Sequence, residues 1–133
     1  MMKLLYEDLT YKIRGVCFSV YNELGGLFRE KIVDRALTEE LLERGLKVDN
    51  QKRIDVYYKN KKVGVYIPDK IINGIVILEI KCKPVLSKND EEQFWKYLKG
   101  TEYRLGLLIN FGAQQLEIKR IICDNIRNKN ATK

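Results

Sequence analysis

The sequence predicts an α/β (α+β) domain, a mixed central sheet flanked by helices, on three observations. Two early stretches repeat apolar residues at helical spacing. The middle of the chain turns to runs rich in Val, Ile and Tyr broken by turn residues, and one capped helix sets the last two such runs apart. A chain of 133 residues suits one core and one domain, expected over residues 1–123, with a polar, flexible tail over 124–133.

The elements follow in order. From Leu9 to Leu24, Leu9, Ile13, Val16, Cys17, Val20, Tyr21 and Leu24 form one helical stripe, with Asp8 as its cap and Gly25-Gly26 as its stop. A second helix is expected from about Phe28 to Arg44, burying Ile32, Val33, Ala36, Leu37 and Leu41 and ending at Gly45. Strands are expected over Lys47–Tyr58, Val63–Ile71, Ile75–Cys82, Arg104–Asn110 and Leu116–Ile122. Lys59-Asn60-Lys61-Lys62 and Asn73-Gly74 make the hairpin turns. Ser87-Lys88-Asn89-Asp90 is a capping box, opening a helix that runs to about Lys99 and stops at Gly100.

Composition narrows the chemistry. Lys and Arg number 25 against 18 Asp and Glu, a net charge of +7 that favours a polyanion: nucleic acid first, an acidic membrane surface second. There is no histidine, which removes an essential group from zinc fingers, serine triads and Cys-His mechanisms. Cys17, Cys82 and Cys123 lack C-x-x-C spacing and read as reduced thiols filling core space. No apolar run reaches the ~18 residues a bilayer span needs, and Met1–Tyr6 is too short for a secretion signal, so a cytoplasmic protein with no membrane partner is expected.

The run Ile75-Val76-Ile77-Leu78-Glu79-Ile80-Lys81 carries the one anomaly. It reads as a strand covered on both faces, yet Glu79 and Lys81 point to the same face of it. An unpaired buried charge costs several kcal/mol, by order of magnitude. Either the strand end has reached solvent and the two form an ordinary surface pair, or Glu79 ligates a hard divalent cation while Lys81 orients the attacking water. Further acids in the right places decide between these readings.

Asp69 is the natural cross-strand neighbour, and the turn sets its face. A strict two-residue Asn73-Gly74 loop would put Asp69 opposite Leu78, on the wrong side of the sheet from Glu79. A three-residue loop, Ile72-Asn73-Gly74, would put it opposite Ile77, diagonal to Glu79 on the same face. A shared metal therefore requires a bulged or three-residue turn. Glu30 could supply a third acid if the second helix brings its first turn over that face, although an acid there also simply complements the helix dipole. Gln93 and Tyr97, one turn apart, offer an amide and a phenol to the same cleft, or form a plain helix surface.

The order Glu30, Pro68-Asp69, Glu79-Ile80-Lys81 and Gln93-x-x-x-Tyr97 resembles the PD-(D/E)xK nuclease superfamily, the last motif its exonuclease-like branch. From Leu9 to Ile122 the chain also looks like the GxxExxY family of small prokaryotic proteins. The carriers include Glu23-Leu24-Gly25, Val56-Tyr57-Tyr58, Tyr97-Leu98 and Gly106-Leu107-Leu108-Ile109-Asn110-Phe111-Gly112. The resemblance implies an αβββαβ core, Asp69 and Glu79 as ligands of Mg or Mn, Lys81 as the water-positioning base and Glu30 as an accessory ligand. This chain departs from the GxxExxY motif, with Leu27 in place of the first Gly and Val33 in place of the Tyr.

These readings lead to a Mg- or Mn-dependent phosphodiesterase of DNA or RNA, DNA ahead of RNA. Lys61, Lys62, Lys83, Lys88, Lys96 and Lys99 are its candidate phosphate contacts. Each lysine taken singly reads equally as a solvated surface charge. A homodimer is compatible with so small a catalytic core. The alternative is a non-catalytic nucleic-acid-binding or protein-interaction module on the same fold.

Overall fold

The computed structural model describes residues 4–124; the expected tail, from residue 125 onward, lies outside them. The described elements are α1 (Glu7–Leu24), α2 (Glu30–Glu43), β1 (Val48–Asn50), β2 (Ile54–Tyr58), β3 (Lys61–Tyr66), β4 (Lys70–Ile72), β5 (Val76–Lys81), α3 (Lys88–Lys99), β6 (Leu105–Phe111) and β7 (Leu116–Ile122). A five-stranded sheet runs in the order β1-β4-β5-β6-β7, and β2 and β3 form a separate two-stranded sheet. Every neighbouring pair in the larger sheet is antiparallel except β5 and β6, whose parallel pairing requires the crossover that α3 provides. This is the mixed sheet flanked by helices that the sequence predicts.

Two apolar layers hold it together. Ile13, Val16 and Cys17 of α1 and Val33, Leu37 and Leu41 of α2 bury against Val76, Leu78 and Ile80 on one face of β5. Phe94 and Leu98 of α3 meet Ile77 and Leu108 on the other face, with Tyr66 and the partly buried Ile54 and Val56 of the hairpin. β5 is thus covered on both sides, at roughly 1.5–3 kcal/mol for each large side chain fully buried. The helix ends differ in detail from expectation. Tyr6, not Asp8, occupies the cap of α1, and Asp8 lies within its first turn. Ile32 is exposed rather than buried, because α2 begins at Glu30 and turns that position outward.

Two expected strands each break in two. The first, Lys47–Tyr58, divides around Gln51, whose φ of 56° leaves the extended region. The second, Val63–Ile71, divides at Pro68, which lacks an amide and cannot continue a central ladder. The two breaks are tied together where Gln51 N donates to Asp69 O at 3.2 Å. Each break passes the chain between the main sheet and the hairpin. The hairpin turn is also tighter than expected: Lys61 already pairs with Tyr58, leaving Lys59 and Asn60 as its two turn residues.

The turn that decides the site is bulged. Asn73 and Gly74 both have positive φ, 54° and 67°, and Ile75 N closes the turn on Ile72 O at 2.9 Å. The ladder nevertheless pairs Ile72 with Val76, Ile71 with Ile77 and Lys70 with Leu78, so Ile75 is an inserted residue. The loop thus has three unpaired residues, but they are Asn73-Gly74-Ile75, one position later than expected. Asp69 consequently stands beside Glu79 rather than diagonal to it.

A close approach places the start of α2. A Cβ on Gly26 would lie 1.8 Å from the carbonyl oxygen of Gly112, so only glycine lets the α1–α2 loop rest there. Leu27 N donates to Phe111 O at 3.0 Å and the Tyr21 hydroxyl to Gly112 O at 2.9 Å, fixing that loop to the end of β6.

Candidate active site

Alternation along β5 sends Glu79 and Lys81 to the α3 side, where they open into a cavity of about 460 Å³. Tyr66 from the end of β3 and Gln93 and Tyr97 from α3 complete its polar lining, while Val65, Phe94 and Leu108 supply its apolar walls. Four of the six expected catalytic residues therefore share one cleft.

Asp69 joins them at its edge through two hydrogen bonds. Its amide donates to Glu79 Oε1 at 3.2 Å, and its own Oδ2 accepts from the amide of Ile80 at 2.7 Å. The same Glu79 oxygen accepts from the Tyr66 hydroxyl at 3.1 Å. Burial and then the nearby Asp69 carboxylate push the Glu79 carboxyl up to about 7. Burial first, against the amide of Ile80, also raises Asp69 above the ordinary range. Two carboxylates thus crowd one poorly solvated spot, where Lys81 and, for Asp69, Lys70 offset the rise only in part.

Glu30 arrives by a different route from the one expected. The body of α2 packs on the opposite face of β5, with Leu78 and Ile80. Its first residue still lies within electrostatic reach of the cleft: burial, then Asp69, raise the Glu30 carboxyl, and Lys81 opposes that rise. α2 is held there by Lys70, fully buried, whose ammonium donates to Asp34 Oδ1 at 2.9 Å, Thr38 Oγ1 at 2.7 Å and Asn50 Oδ1 at 2.8 Å. Asp34 follows Glu30 by one helical turn, so this anchor sets the position of both.

The expected phosphate contacts divide. Lys83 Nζ is bound by Asp90 at 2.7 Å, inside the capping box that starts α3, and Lys62 Nζ pairs with Asp55 at 3.2 Å. Lys99 lies over the Trp95 ring at 5.1 Å. Lys61, Lys88 and Lys96 are exposed. Tyr97, half exposed, spends one ring face on a flat stack with Tyr66, centroids 4.7 Å apart and planes 4° from parallel.

Two residues missed by sequence reasoning complete the cleft's frame. Tyr66 joins Glu79 to Tyr97, a bridge that depends on a hairpin fold no local pattern reveals. Asn110, fully buried and paired with Lys81 across the parallel ladder, accepts from Lys83 N at 3.0 Å. Its amide nitrogen donates to Lys83 O at 2.9 Å and to Glu117 Oε1 at 2.8 Å, fixing the segment that leaves β5. An amide ending an apolar run is the same anomaly that singled out Glu79, so its signal was available.

The donor set fits a hard divalent cation. Mg²⁺ is usually held by one or two carboxylates, its remaining positions going to water and substrate phosphate oxygens. Asp69 and Glu79 provide such a pair, and their raised carboxyls mark a place where a cation would offset repulsion. Among the described residues no group of three or more His, Cys, Asp or Glu is placed to hold a metal ion, so Glu30, Asp69 and Glu79 do not form the three-acid cluster expected from the sequence. Also among them, no helix is long and apolar enough to cross a membrane.

The family profile described as the PD-(D/E)XK nuclease superfamily matches residues 7–121, from the start of α1 to β7. No curated protein and no solved structure matches the chain.

Proposed function

Because this chain belongs to the PD-(D/E)XK nuclease superfamily, we propose that it is a divalent-metal-dependent phosphodiesterase acting on DNA or RNA. The observation that carries the reading is the Asp69–Glu79 pair: Asp69, just before β4, and Glu79, on β5, are hydrogen-bonded to each other's backbone segments, and Glu79 opens beside Lys81 into the cleft. Asp69 and Glu79 would hold Mg or Mn, with Glu30 adding negative charge nearby. Bound there, the metal supplies charge neutralisation for the scissile phosphate and an acidified water.

The chain's own groups do the rest. Lys81, on the same face as Glu79, is the group that orients the attacking water and meets the phosphate's developing negative charge. The Tyr66 hydroxyl fixes one Glu79 oxygen, leaving the other to face the cleft. Gln93 and Tyr97 border the opening from α3 and are placed to position the substrate backbone. The likeness to the GxxExxY family supports the same assignment of Asp69, Glu79 and Lys81, within one domain over residues 1–123.

A non-catalytic binding module on the same fold is the second reading, favoured by the two-carboxylate rather than three-carboxylate arrangement. Single- and double-stranded DNA and RNA incubated with Mg²⁺, Mn²⁺ or chelator separate the two. Chelator-sensitive cleavage that disappears in Lys81→Ala is the outcome expected of the enzyme. Salt-sensitive binding without cleavage under any metal would leave the module.

A further inference from the structure

The β2–β3 hairpin stands apart from the main sheet, and its two ends differ. At its root, Ile54 and Val56 pack against the α3 core and Tyr66 reaches Glu79. At its tip, Tyr57, Tyr58 and Val63 are 59%, 63% and 62% exposed. Isolated two-stranded hairpins are marginal in water, and aromatic rings are normally spent on burying them. This tip leaves two adjacent rings unburied.

We propose that the hairpin is a single-strand arm: unpaired bases of the nucleic acid stack on Tyr57 and Tyr58 while its phosphates meet Lys59 and Lys61. This inference rests on the nucleic-acid substrate proposed above and specifies its form. Adjacent strand residues point to opposite faces, so the two rings flank a thin ribbon instead of making one flat apolar patch. A protein or membrane surface has no continuous face to cover there. A duplex hides its base faces, whereas an unpaired strand offers one π-face per nucleotide and can bend around the ribbon.

Charge and backbone agree with that occupant. Lys59 Nζ lies 5.4 Å from the Tyr58 ring centroid, joining a cation to a stacking surface as a nucleotide joins a phosphate to a base. Lys59 adopts φ 48° at a turn position where Asn or Gly is at ease, so a charged side chain is kept at a conformational cost. Lys62 is already engaged by Asp55 and is left out of the assignment. Strand β3 from Lys61 to Tyr66 spans about 17 Å at the usual rise. The tip therefore stands a few nucleotides from the cleft, along a path rooted at Tyr66.

The test is fluorescence anisotropy with the full chain in chelator, where binding is read without cleavage. Labelled single strands are compared with a blunt duplex of equal length. The double variant Tyr57→Ala/Tyr58→Ala is expected to bind the single strand roughly tenfold more weakly or worse, with duplex binding unchanged. Tyr57→Phe/Tyr58→Phe, which keeps the rings, should restore single-strand affinity. A 2-aminopurine base placed in the strand should be quenched by the wild type and not by the Ala variant. Melting curves establish that each variant is folded. Equal loss on duplex, no loss on single strands, a Phe variant that behaves like the Ala variant, or displacement by poly-glutamate as effective as by oligonucleotide would each overturn the arm. With no metal present, this result stands apart from the cleavage assay: an inactive protein can still possess the arm, and an active one can lack it.

Discussion

Asp69 and Glu79 are joined through the backbone: the amide of Asp69 donates to the Glu79 carboxylate, and the carboxylate of Asp69 accepts from the amide of Ile80. Each side chain is held by the strand that carries the other. A geometry fixed this way holds two like charges together, and its cost is a raised affinity for protons.

That cost predicts a pH dependence. The Glu79 carboxyl rises from an ordinary 4.5 to about 7, so the folded state binds its proton more tightly than the unfolded chain does. The associated stability is full below the unfolded pKa and is lost as pH rises through about 7, by on the order of a few kcal/mol. Asp69, also raised, adds a contribution of the same sign. A divalent ion held as proposed would bind the ionised pair, so the rise in Tm that Mg²⁺ causes should be small in acid and largest above neutrality. Melting curves across that range with and without Mg²⁺ check this, and Glu79→Gln should flatten both dependences.

Tyr66→Phe removes the hydroxyl that stabilises the Glu79 anion while keeping the ring that stacks on Tyr97. The Glu79 titration should move higher, and Mg²⁺ affinity measured by calorimetry should fall by about 10- to 100-fold, as for other residues that orient a ligand. Retained thermal stability alongside that loss would separate an electrostatic role from a packing one.

The sequence carried the parts governed by local chemistry and lost those governed by distant contacts. The stripe of α1, the capping box at Ser87 and Asp90 and the buried run of β5 each follow from residues a few positions apart, and each is found. The breaks at Gln51 and Pro68 depend on the chain leaving one sheet for another, which alternation within a window does not record. The Asn73-Gly74 turn was legible, and a shared site called for three loop residues there, but the place of the extra residue at Ile75 was not legible: the same dipeptide closes a strict hairpin unless neighbours such as Ile71 and Ile72, both fully buried, demand another register. Glu79 and Lys81 were visible because charge in a greasy strand is costly. Tyr66 was invisible because tyrosine in a strand is ordinary.

Lys70 and Asp34 should respond unequally to removal. Asp34→Ala leaves the fully buried ammonium hydrogen-bonded only to neutral oxygens, with Asp69 as its remaining opposite charge, a loss of about 3–5 kcal/mol for breaking a buried pair. Lys70→Met keeps the volume and removes the charge, so it should cost much less. Chemical denaturation of both variants reads the difference. Because Asp34 shares its helix face with Glu30, activity should fall in step with the movement of α2, more in Asp34→Ala than in Lys70→Met.

The last prediction concerns how α3 is seated over the cleft. A Cβ on Gly106 would lie 2.4 Å from Phe94 Cζ and 2.7 Å from its Cε2, inside the core beneath the helix that carries Gln93 and Tyr97. Gly106→Ala must therefore push Phe94, and with it α3, away from β6, at about 1–3 kcal/mol for an overpacked core. Phe94→Leu alone leaves a void and also destabilises. Combined, the smaller ring position accepts the added methyl, so the double variant should be more stable than the two single losses together require. A urea-denaturation double-mutant cycle measures that coupling. Additive losses would mean that β6 and α3 adjust independently, and that the cleft's α3 wall is positioned by the Asn110–Lys83 and Asp90–Lys83 contacts instead.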